Sequence, residues 1–372
     1  MINPKCTLCT NSLKLYNRLS TLTHIASDQS WVSGKPLLGW CDQCGLVQRP
    51  TSKEWVESCQ EIYLNYDRLY PERLPEETRV LTSTNPTEGL ISRSQSVIKN
   101  FLEDFQIPEQ ISWLDYGCGS GDLLETCKQL APGTQIYGFD VDERGKTFIE
   151  STLEGTFFHD FDSINTSFDV ISLSHVLEHI SNPITFLRML RPLLAPSGKL
   201  LIQVPNFAEN PFDLIIYDHA LFFQPETLAK VISAAGFRFL TINHHSSRNE
   251  ITAVFECAAS VNAGSARYDN FTTPAKLLEQ AASFLESTVS EALQKSSFGP
   301  IFIFGAGNGG SWLANQIGVG NVSGFYDENI ALDGTSFHGL PVSIPSAFDP
   351  EKIVIGLPPN AQTRLKARYA FV

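Results

Sequence analysis

Short apolar runs alternate with helix-like patterns between residues 111 and 258. The runs predict strands, in chain order, over 112–116, 135–139, 168–173, 199–204, 237–242 and 251–257. Stretches of helical periodicity lie between them, for example over 122–130 and 183–194. Such alternation predicts a doubly wound α/β fold, in which a mostly parallel sheet is covered by helices on both faces. Too few residues separate the last two predicted strands for a crossover helix, so we expect these strands to pair antiparallel.

A second α/β unit is predicted in the last third of the chain. Residues 261–270 are polar, as in a linker, and residues 274–295 carry apolar side chains at helical spacing. A strand over 301–304, a glycine-rich loop and a helix follow. We therefore divide the chain into a cysteine-containing module (1–50), a connecting segment with an aromatic-rich part (51–110), a central α/β domain (111–260) and a C-terminal Rossmann-like domain (261–372).

The composition and net charge limit which class of protein this is and which partners it binds. The 372 residues are 42% hydrophobic, which is enough for ordinary buried cores, and 27 basic against 40 acidic residues give a net charge of −13. A surface this acidic repels phosphate backbones and anionic lipid, so neither nucleic acid nor a membrane is expected as a partner. No apolar run is long enough to span a membrane, and the first residues lack the apolar stretch of a signal peptide. We expect a cytoplasmic protein.

Four of the eight cysteines form two C-x-x-C pairs. Cys6 and Cys9 make the first pair, and Cys41 and Cys44 make the second, which is followed by Gly45. A C-x-x-C turn presents two sulfur ligands, and zinc prefers four tetrahedral thiolate or imidazole ligands. A disulfide framework is improbable in a reducing compartment. We expect a Zn²⁺ ion on these four cysteines, structural because no ligand position stays open.

A glycine-rich loop follows the first strand of the central domain. Asp115 precedes three glycines at alternate positions: Gly117, Gly119 and Gly121. Glycines allow the backbone to approach a ligand where a side chain would collide with it. Asp140 ends the next strand, where an acidic residue would accept hydrogen bonds from a ribose diol. Asp160 ends a third strand candidate and could reach a purine amino group.

These motifs together resemble those of class I S-adenosylmethionine (SAM)-dependent methyltransferases. The resemblance also rests on V-L-E-H-I over 176–180 and on L-x-P-x-G-x-L-x-I-x-V-P-N over 194–206. It implies SAM as the cofactor, with Asp115 and the glycine loop facing the methionine part, Asp140 the ribose and Asp160 the adenine. It places three further residues along the SAM site: Val141, Ser174 and His175.

The order of the parts resembles the zinc-containing sugar C-methyltransferases, which act on nucleotide-linked keto-deoxysugars. That resemblance implies a nucleotide-linked sugar as the small-molecule substrate, and an aromatic segment, with Tyr63 and Tyr66, that closes over SAM. It also implies a general base, His219, which makes the enolate beside the ketone. Tyr217 or Asp218 would orient His219 or bind the enolate oxygen. The family pattern here is Y-x-E-H, so this chain is one residue shorter and has Asp in place of Glu.

Several alternatives stay open at this stage. His179 is a rival for the general base, and His219 could instead serve a structural role. An O- or N-methyltransferase of another small metabolite would use the same SAM site, and a non-catalytic zinc-ribbon assembly protein is a third reading. The loop Gly305–Gly310, with Asp327 22 residues after Gly305, fits a dinucleotide-binding pattern. It predicts a substrate phosphate site, a purely structural turn or an NAD site. The sequence leaves the oligomeric state open.

Overall fold

The structure, a computed structural model, describes residues 4–34, 37–64, 79–80, 91–105, 110–243, 249–258, 272–345 and 349–369. Five short strands come first: β1 (Lys14–Tyr16), β2 (His24–Ile25), β3 (Trp31–Val32), β4 (Leu38–Trp40) and β5 (Val47–Gln48). They are followed by α1 (Lys53–Leu64), β6 (Arg79–Val80), β7 (Ile91–Ser92) and α2 (Arg93–Asp104). A capping box between Ser92 and Gln95 satisfies the free backbone N–H groups at the start of α2.

The central domain is built on a seven-stranded sheet. Its strands are β8 (Ser112–Tyr116), β9 (Gln135–Phe139), β10 (Thr156–Phe158), β11 (Phe168–Ser174), β12 (Leu194–Pro205), β14 (Phe237–Asn243) and β15 (Glu250–Cys257), while β13 (Leu221–Phe222) joins another sheet. Its helices are α3 (Asp122–Leu130), α4 (Lys146–Ser151), α5 (Pro183–Leu190) and α6 (Pro225–Ala234). The strand order is β10-β9-β8-β11-β12-β15-β14. The first five strands run parallel, and β15 pairs antiparallel with both β12 and β14.

Both faces of this sheet are buried, as the continuous apolar runs of its strands indicate. Neighbouring residues of one strand enter different cores: Val170 packs with the side chains beneath α2 and α3, whereas Ile171 packs towards α5 and α6. Trp113 and Leu114 divide in the same way on β8. The predicted α/β alternation and the antiparallel final pair are confirmed by the sheet.

Three predicted boundaries were wrong by several residues, and one of them is the start of β12, which lies at Leu194 rather than at residue 199. Strand β10 ends at Phe158, so Asp160 does not end it; the Asp160 side chain instead caps a 3₁₀ turn over Phe161–Ser163. Helix α5 ends at Leu190 rather than near residue 194, because Pro192 has no backbone N–H to continue the helical ladder.

The C-terminal region forms a second, smaller α/β unit. Its elements are α7 (Pro274–Ser296), β16 (Ile301–Phe304), α8 (Asn308–Ile317), β17 (Val322–Tyr326), β18 (Ser336–Phe337), β19 (Leu340–Ser343), β20 (Ile353–Ile355) and α9 (Pro359–Arg368). The order is β18-β19-β17-β16-β20, with only the β18–β19 pair antiparallel among these described strands. No helix in the described ranges combines the length and the apolar character that a membrane crossing requires.

The N-terminal module is joined to the central domain through a shared sheet. Strands β1, β4 and β5 form an antiparallel sheet whose fourth strand is β13. Leu221 pairs with Gln48, and Phe222 pairs with Val47. The chain just before β13 is therefore fixed against the module that carries the paired cysteines.

Candidate active site

The glycine-rich loop joins β8 to α3 at the carboxyl edge of the central sheet. Gly117, Gly119 and Gly121 have φ angles of +80°, +49° and +89°. A Cβ atom built on Gly119 meets no described atom within 4 Å, so the loop borders open space at this point. Glycine keeps that space free for a ligand that contacts the backbone directly.

Asp115 is a buried carboxyl directly below this loop. Its side chain is 2% exposed, and the Ser172 hydroxyl donates a hydrogen bond of 2.6 Å to its Oδ1. Trp113 Nε1 donates in turn to Ser172 Oγ at 2.9 Å, which fixes the serine. Burial raises the pKa of Asp115 to about 7. A cationic ligand bound beside this carboxyl would favour its ionised form.

Asp140 holds the glycine loop from the end of the neighbouring strand β9. Its Oδ2 accepts a hydrogen bond of 2.8 Å from the Gly119 N–H, and its Oδ1 accepts one of 3.0 Å from the Asp142 N–H. Each carboxylate oxygen keeps a second lone pair for a ligand hydroxyl. Burial raises the pKa of Asp140. The next residue, Val141, is apolar yet 77% exposed, which leaves an unpaired apolar surface beside the carboxylate.

Two other predicted SAM residues have partners within the protein. Asp160 is exposed, and its Oδ1 accepts a hydrogen bond from the Asp162 N–H at 3.1 Å. Ser174 ends β11, and its hydroxyl donates to Gln203 Oε1 at 3.2 Å.

His175 lies between two buried carboxylates. It has a φ of +55°, which is uncommon for a residue with a side chain, and its ring nitrogens are 3.2 Å from Glu178 Oε1 and 3.3 Å from Glu250 Oε1. Arg93 from α2 also reaches Glu250, at 2.8 Å. This network ties α2 and β15 to the end of β11.

Of the two predicted aromatic contacts, Tyr63 is described and Tyr66 lies outside the described residues. The Tyr63 hydroxyl is 3.1 Å from His179 Nδ1, and the two rings meet edge to face. Tyr63 thus closes one side of the region that contains His179.

A buried group of titratable side chains lies where the 3₁₀ turn Leu177–His179 meets residues 213–219. We call it the histidine–carboxylate cluster; its members are Glu178, His179, Asp213, Asp218 and His219. His219 Nδ1 is 2.6 Å from Asp213 Oδ1, and His179 Nδ1 is 3.3 Å from Asp218 Oδ2. The two imidazole rings stand nearly perpendicular, with centroids 4.7 Å apart. Each histidine therefore has its own carboxylate.

The charges within the cluster are set by these pairs. Burial acts to lower the pKa of His179, but the Asp218 carboxylate outweighs it and raises that pKa to about 9. Burial acts to raise the pKa of Asp218, and His179 reverses this and holds it well below the usual range. Burial raises the pKa of Asp213. At neutral pH, His179 is therefore a cation beside an ionised Asp218.

The residue that orients His219 is Asp213, which sequence reasoning did not single out. Asp218 was expected in this position, but it contacts His179 and accepts two hydrogen bonds from Ser27, of 2.8 Å and 2.6 Å. Tyr217 is buried, and its ring packs directly against Gly34, where a side chain would collide with it.

A second residue missed from sequence is Arg49, which follows β5 in the N-terminal module. It is 2% exposed and donates hydrogen bonds of 2.9–3.0 Å to the carbonyl oxygens of Leu214, Ile216 and His219. Trp55 Nε1 donates to the Tyr217 carbonyl at 3.0 Å. The N-terminal module, through Arg49, and α1, through Trp55, thus fix the backbone that carries His219.

The two C-x-x-C pairs come together in what we call the four-cysteine cluster (Cys6, Cys9, Cys41 and Cys44). The Cys6 and Cys44 sulfurs are 3.5 Å apart, the Cys9 and Cys41 sulfurs are 3.4 Å apart, and all four lie within 4.8 Å of one another. Zn–S bonds of about 2.3 Å in a tetrahedron require such sulfur separations. The arrangement fits a metal ion with four thiolate ligands.

Comparison with known proteins identifies the central domain. Residues 90–242 match a family model described as a methyltransferase domain. A ubiquinone biosynthesis O-methyltransferase of Cereibacter sphaeroides is 27% identical over 169 residues, which cover 38% of this chain and 68% of the relative. The chain is a SAM-dependent methyltransferase. A second ubiquinone biosynthesis O-methyltransferase, from Coxiella burnetii, is 27% identical over 163 residues, which cover 37% of this chain and 69% of the relative.

This chain is also similar to the structure of human N-acetylserotonin methyltransferase in complex with SAM. Its TM-score is 0.39 at 19% sequence identity, over 45% of this chain and 52% of that one. The matched family region extends from β7 into β14 and therefore includes the glycine loop and all members of the histidine–carboxylate cluster.

In the second glycine-rich loop of the methyltransferase, Gly305–Gly310, an aspartate holds the loop backbone in the same way as in the first. Asp327 Oδ2 accepts a hydrogen bond from the Ala306 N–H at 2.8 Å, as Asp140 does from Gly119, and its Oδ1 accepts from Asn329 N–H at 2.8 Å. A Cβ at Gly310 would overlap the Gly305 carbonyl oxygen, so close packing of α8 on the loop requires glycine there. The phosphate and NAD sites expected at this loop stay predictions.

Proposed function

We propose that this methyltransferase acts on a small-molecule acceptor from which His219 removes a proton. The observation that carries the proposal is the 2.6 Å contact between His219 Nδ1 and Asp213 Oδ1 inside the buried cluster. A carboxylate on Nδ1 favours the tautomer whose Nε2 holds a free lone pair. Nε2 of His219 is then the proton acceptor.

SAM is assigned to the carboxyl edge of the central sheet, where it supplies an electrophilic methyl group on a sulfonium centre. Asp115 would face the methionine ammonium group, Asp140 the ribose hydroxyls and Val141 the adenine ring. The open space at Gly119 and the exposed apolar side chain of Val141 support this assignment. Other contacts carried over by resemblance are Gly117, Gly121, Asp160, Ser174, His175, Tyr63 and Tyr66.

His179 has a role complementary to that of His219. Because Asp218 keeps it protonated, His179 is a poor proton acceptor but a good hydrogen-bond donor. The ring centroids of His179 and His219 are 4.7 Å apart. A positive charge this close to the base would stabilise the negative charge that deprotonation creates on the acceptor. This division of roles favours His219 over His179 as the base.

The acceptor we favour is a nucleotide-linked keto-deoxysugar, methylated on the carbon beside its ketone. Support comes from the resemblance to the zinc-containing sugar C-methyltransferases, the four-cysteine cluster and the second Rossmann-like unit. His219 would remove the α proton, and His179 would stabilise the enolate oxygen. Tyr217 is a further candidate contact for that oxygen.

O-methylation is the second candidate, because the curated relatives are named as O-methyltransferases. In that case His219 would activate a hydroxyl group and no enolate would form. The same cluster serves both reactions, and only the proton that is removed differs.

Solvent-exchange measurements distinguish these reactions. Wild-type enzyme without SAM, incubated in deuterium oxide with a nucleoside-diphosphate-linked keto-deoxysugar, should exchange the α proton for deuterium. His219→Asn should abolish both exchange and methyl transfer, whereas His159→Asn, an exposed histidine beside Glu143, should change neither. Methyl transfer to a sugar or other acceptor without exchange would favour O-methylation. Transfer that persists in His219→Asn would contradict the assigned base.

A further inference from the structure

We propose that Glu178, His179 and His219 form a binding site for one divalent transition-metal ion, separate from the four-cysteine cluster. One ligand atom from each residue lies within 4.8 Å of the other two. Two imidazoles and a carboxylate are a donor set that zinc and other first-row metals accept, and they leave coordination positions open. The site shares His219 with the proposed function, so the ion and a proton compete for the same nitrogen.

Glu178 provides the observation that points to a ligand. Its side chain is fully buried, and its Oε1 contacts His175 Nδ1 at 3.2 Å. Its Oε2 is buried too, yet finds no hydrogen-bond partner among the described residues. A buried carboxylate oxygen without a partner is unfavourable, and a cation beside it would remove that cost.

The histidines are already oriented as metal ligands usually are. Asp213 lies on Nδ1 of His219, and Asp218 lies on Nδ1 of His179, which leaves Nε2 of each ring for another partner. Metal-bound histidines nearly always donate their second ring N–H to a carboxylate or carbonyl, which fixes the tautomer and the ring orientation. The carboxylates that would hold both rings in this orientation are thus in place.

The charge balance of the cluster also favours a divalent ion. Glu178, Asp213 and Asp218 are three buried carboxylates, and the guanidinium of Arg49 supplies one buried positive charge beside them. A divalent ion would place further positive charge among these buried carboxylates.

The test is a titration of the purified holoprotein with Co²⁺, followed by calorimetry and visible absorption. We expect one additional equivalent per chain, with ligand-field bands but no thiolate charge-transfer band, because this site contains no cysteine. Asp213→Asn should weaken Co²⁺ binding 10- to 100-fold, the usual effect of removing a carboxylate that orients a metal-bound histidine. Glu178→Gln, which removes the charged ligand, should weaken it further, and His159→Asn should leave it unchanged.

Three results would overturn the site: no additional equivalent in the wild type, wild-type affinity in both cluster variants, or thiolate charge transfer with the added ion. Circular dichroism checks that the variants fold, and Asp213→Asn decides alone if Glu178→Gln does not fold. Methyl transfer should fall as Co²⁺ fills the site. Binding of Co²⁺ that leaves transfer unchanged would overturn the base role of His219 and leave the metal site standing.

Discussion

Asp115 shows how a single buried carboxyl can oppose folding. The ordinary pKa of its carboxyl is 3.8, and burial raises it to about 7 in the folded protein. Between these values the unfolded chain loses its proton first, so stability falls as pH rises and stays reduced above pH 7. At 1.36 kcal/mol per unit, the full cost is at most about 4 kcal/mol.

Asp115→Asn should therefore stabilise the protein at pH 8 and weaken ligand binding. Asparagine can still accept the hydrogen bond from Ser172, but it has no charge to desolvate or to attract a ligand ammonium group. Calorimetry should show a higher Tm than the wild type at pH 8 and no difference near pH 4. The affinity for S-adenosylhomocysteine should fall at least about 10-fold, since one charge-assisted contact is lost.

Asp162→Asn is the matched control, because it makes the same change at an exposed position. It should alter neither the Tm at pH 8 nor the affinity. A lower Tm for Asp115→Asn at pH 8 would mean that the ionised carboxyl has a partner which offsets its burial.

Local motifs could predict His219 but not the residues that hold it. Asp213 lies in the 3₁₀ turn Pro211–Ile215, six positions before His219, and the fold brings the two side chains to 2.6 Å. Arg49 lies 170 positions away and reaches the same segment through the N-terminal module. Spacing along a sequence suggests candidate residues, whereas their partners depend on contacts that only the fold creates.

At the scale of elements, buried parallel strands were the most predictable part of the fold. They are apolar on both faces, so they appear as continuous runs such as Ile301–Phe304, whose predicted bounds match the structure. The two-residue strand β13 has no such signal, because it is defined by its pairing with β5. The pairing of β13 nevertheless fixes the position of the residues just before it, which belong to the histidine–carboxylate cluster.

The four-cysteine cluster supports the segment that carries His219. Lys230 of α6 donates a hydrogen bond of 2.8 Å to the Cys44 carbonyl, and Leu221 and Phe223 pack in the same core as Cys6 and Cys41. A metal ion bound here would stabilise the fold and, through it, the segment that carries His219, without contact with the reacting atoms.

Cys41→Ser should therefore remove one metal equivalent and lower stability. Elemental analysis of protein purified without chelator should find one zinc ion fewer per chain than in the wild type, and the Tm should fall. Cys257→Ser, at a cysteine outside the cluster, should keep the wild-type zinc content. A wild-type protein without zinc would refute the structural metal site.

At the scale of the whole molecule, one hydrophobic core joins three parts of the chain. Leu19 and Ile25 of the N-terminal module, Phe207 and Phe212 of the segment before His219, and Trp312 of α8 belong to the same buried cluster. Trp312 Nε1 also donates a hydrogen bond of 3.0 Å to the Thr23 carbonyl. The C-terminal unit should therefore unfold together with the rest of the protein.

Phe212→Ala tests this coupling and its consequence for the active site. Phe212 is 3% exposed, and its ring centroid lies 5.6 Å from those of Phe284 in α7 and Trp312 in α8. Loss of the ring should cost about 3–5 kcal/mol and shift the adjacent Asp213. We expect a lower Tm in a single transition, a reduced kcat, and an affinity for S-adenosylhomocysteine within a few-fold of the wild type.

Phe298→Ala makes the same change at a ring that is 90% exposed just after α7, and it should leave the Tm and kcat unchanged. If Phe212→Ala instead produced two transitions, of which only the lower one had moved, the C-terminal unit would fold independently of the segment before His219. A single shifted transition with unchanged kcat would show that Asp213 keeps its position without support from the shared core. Orientation of His219 would then depend on the clamp by Arg49 alone, which Arg49→Lys would weaken because a lysine cannot reach three carbonyl groups with a planar fork.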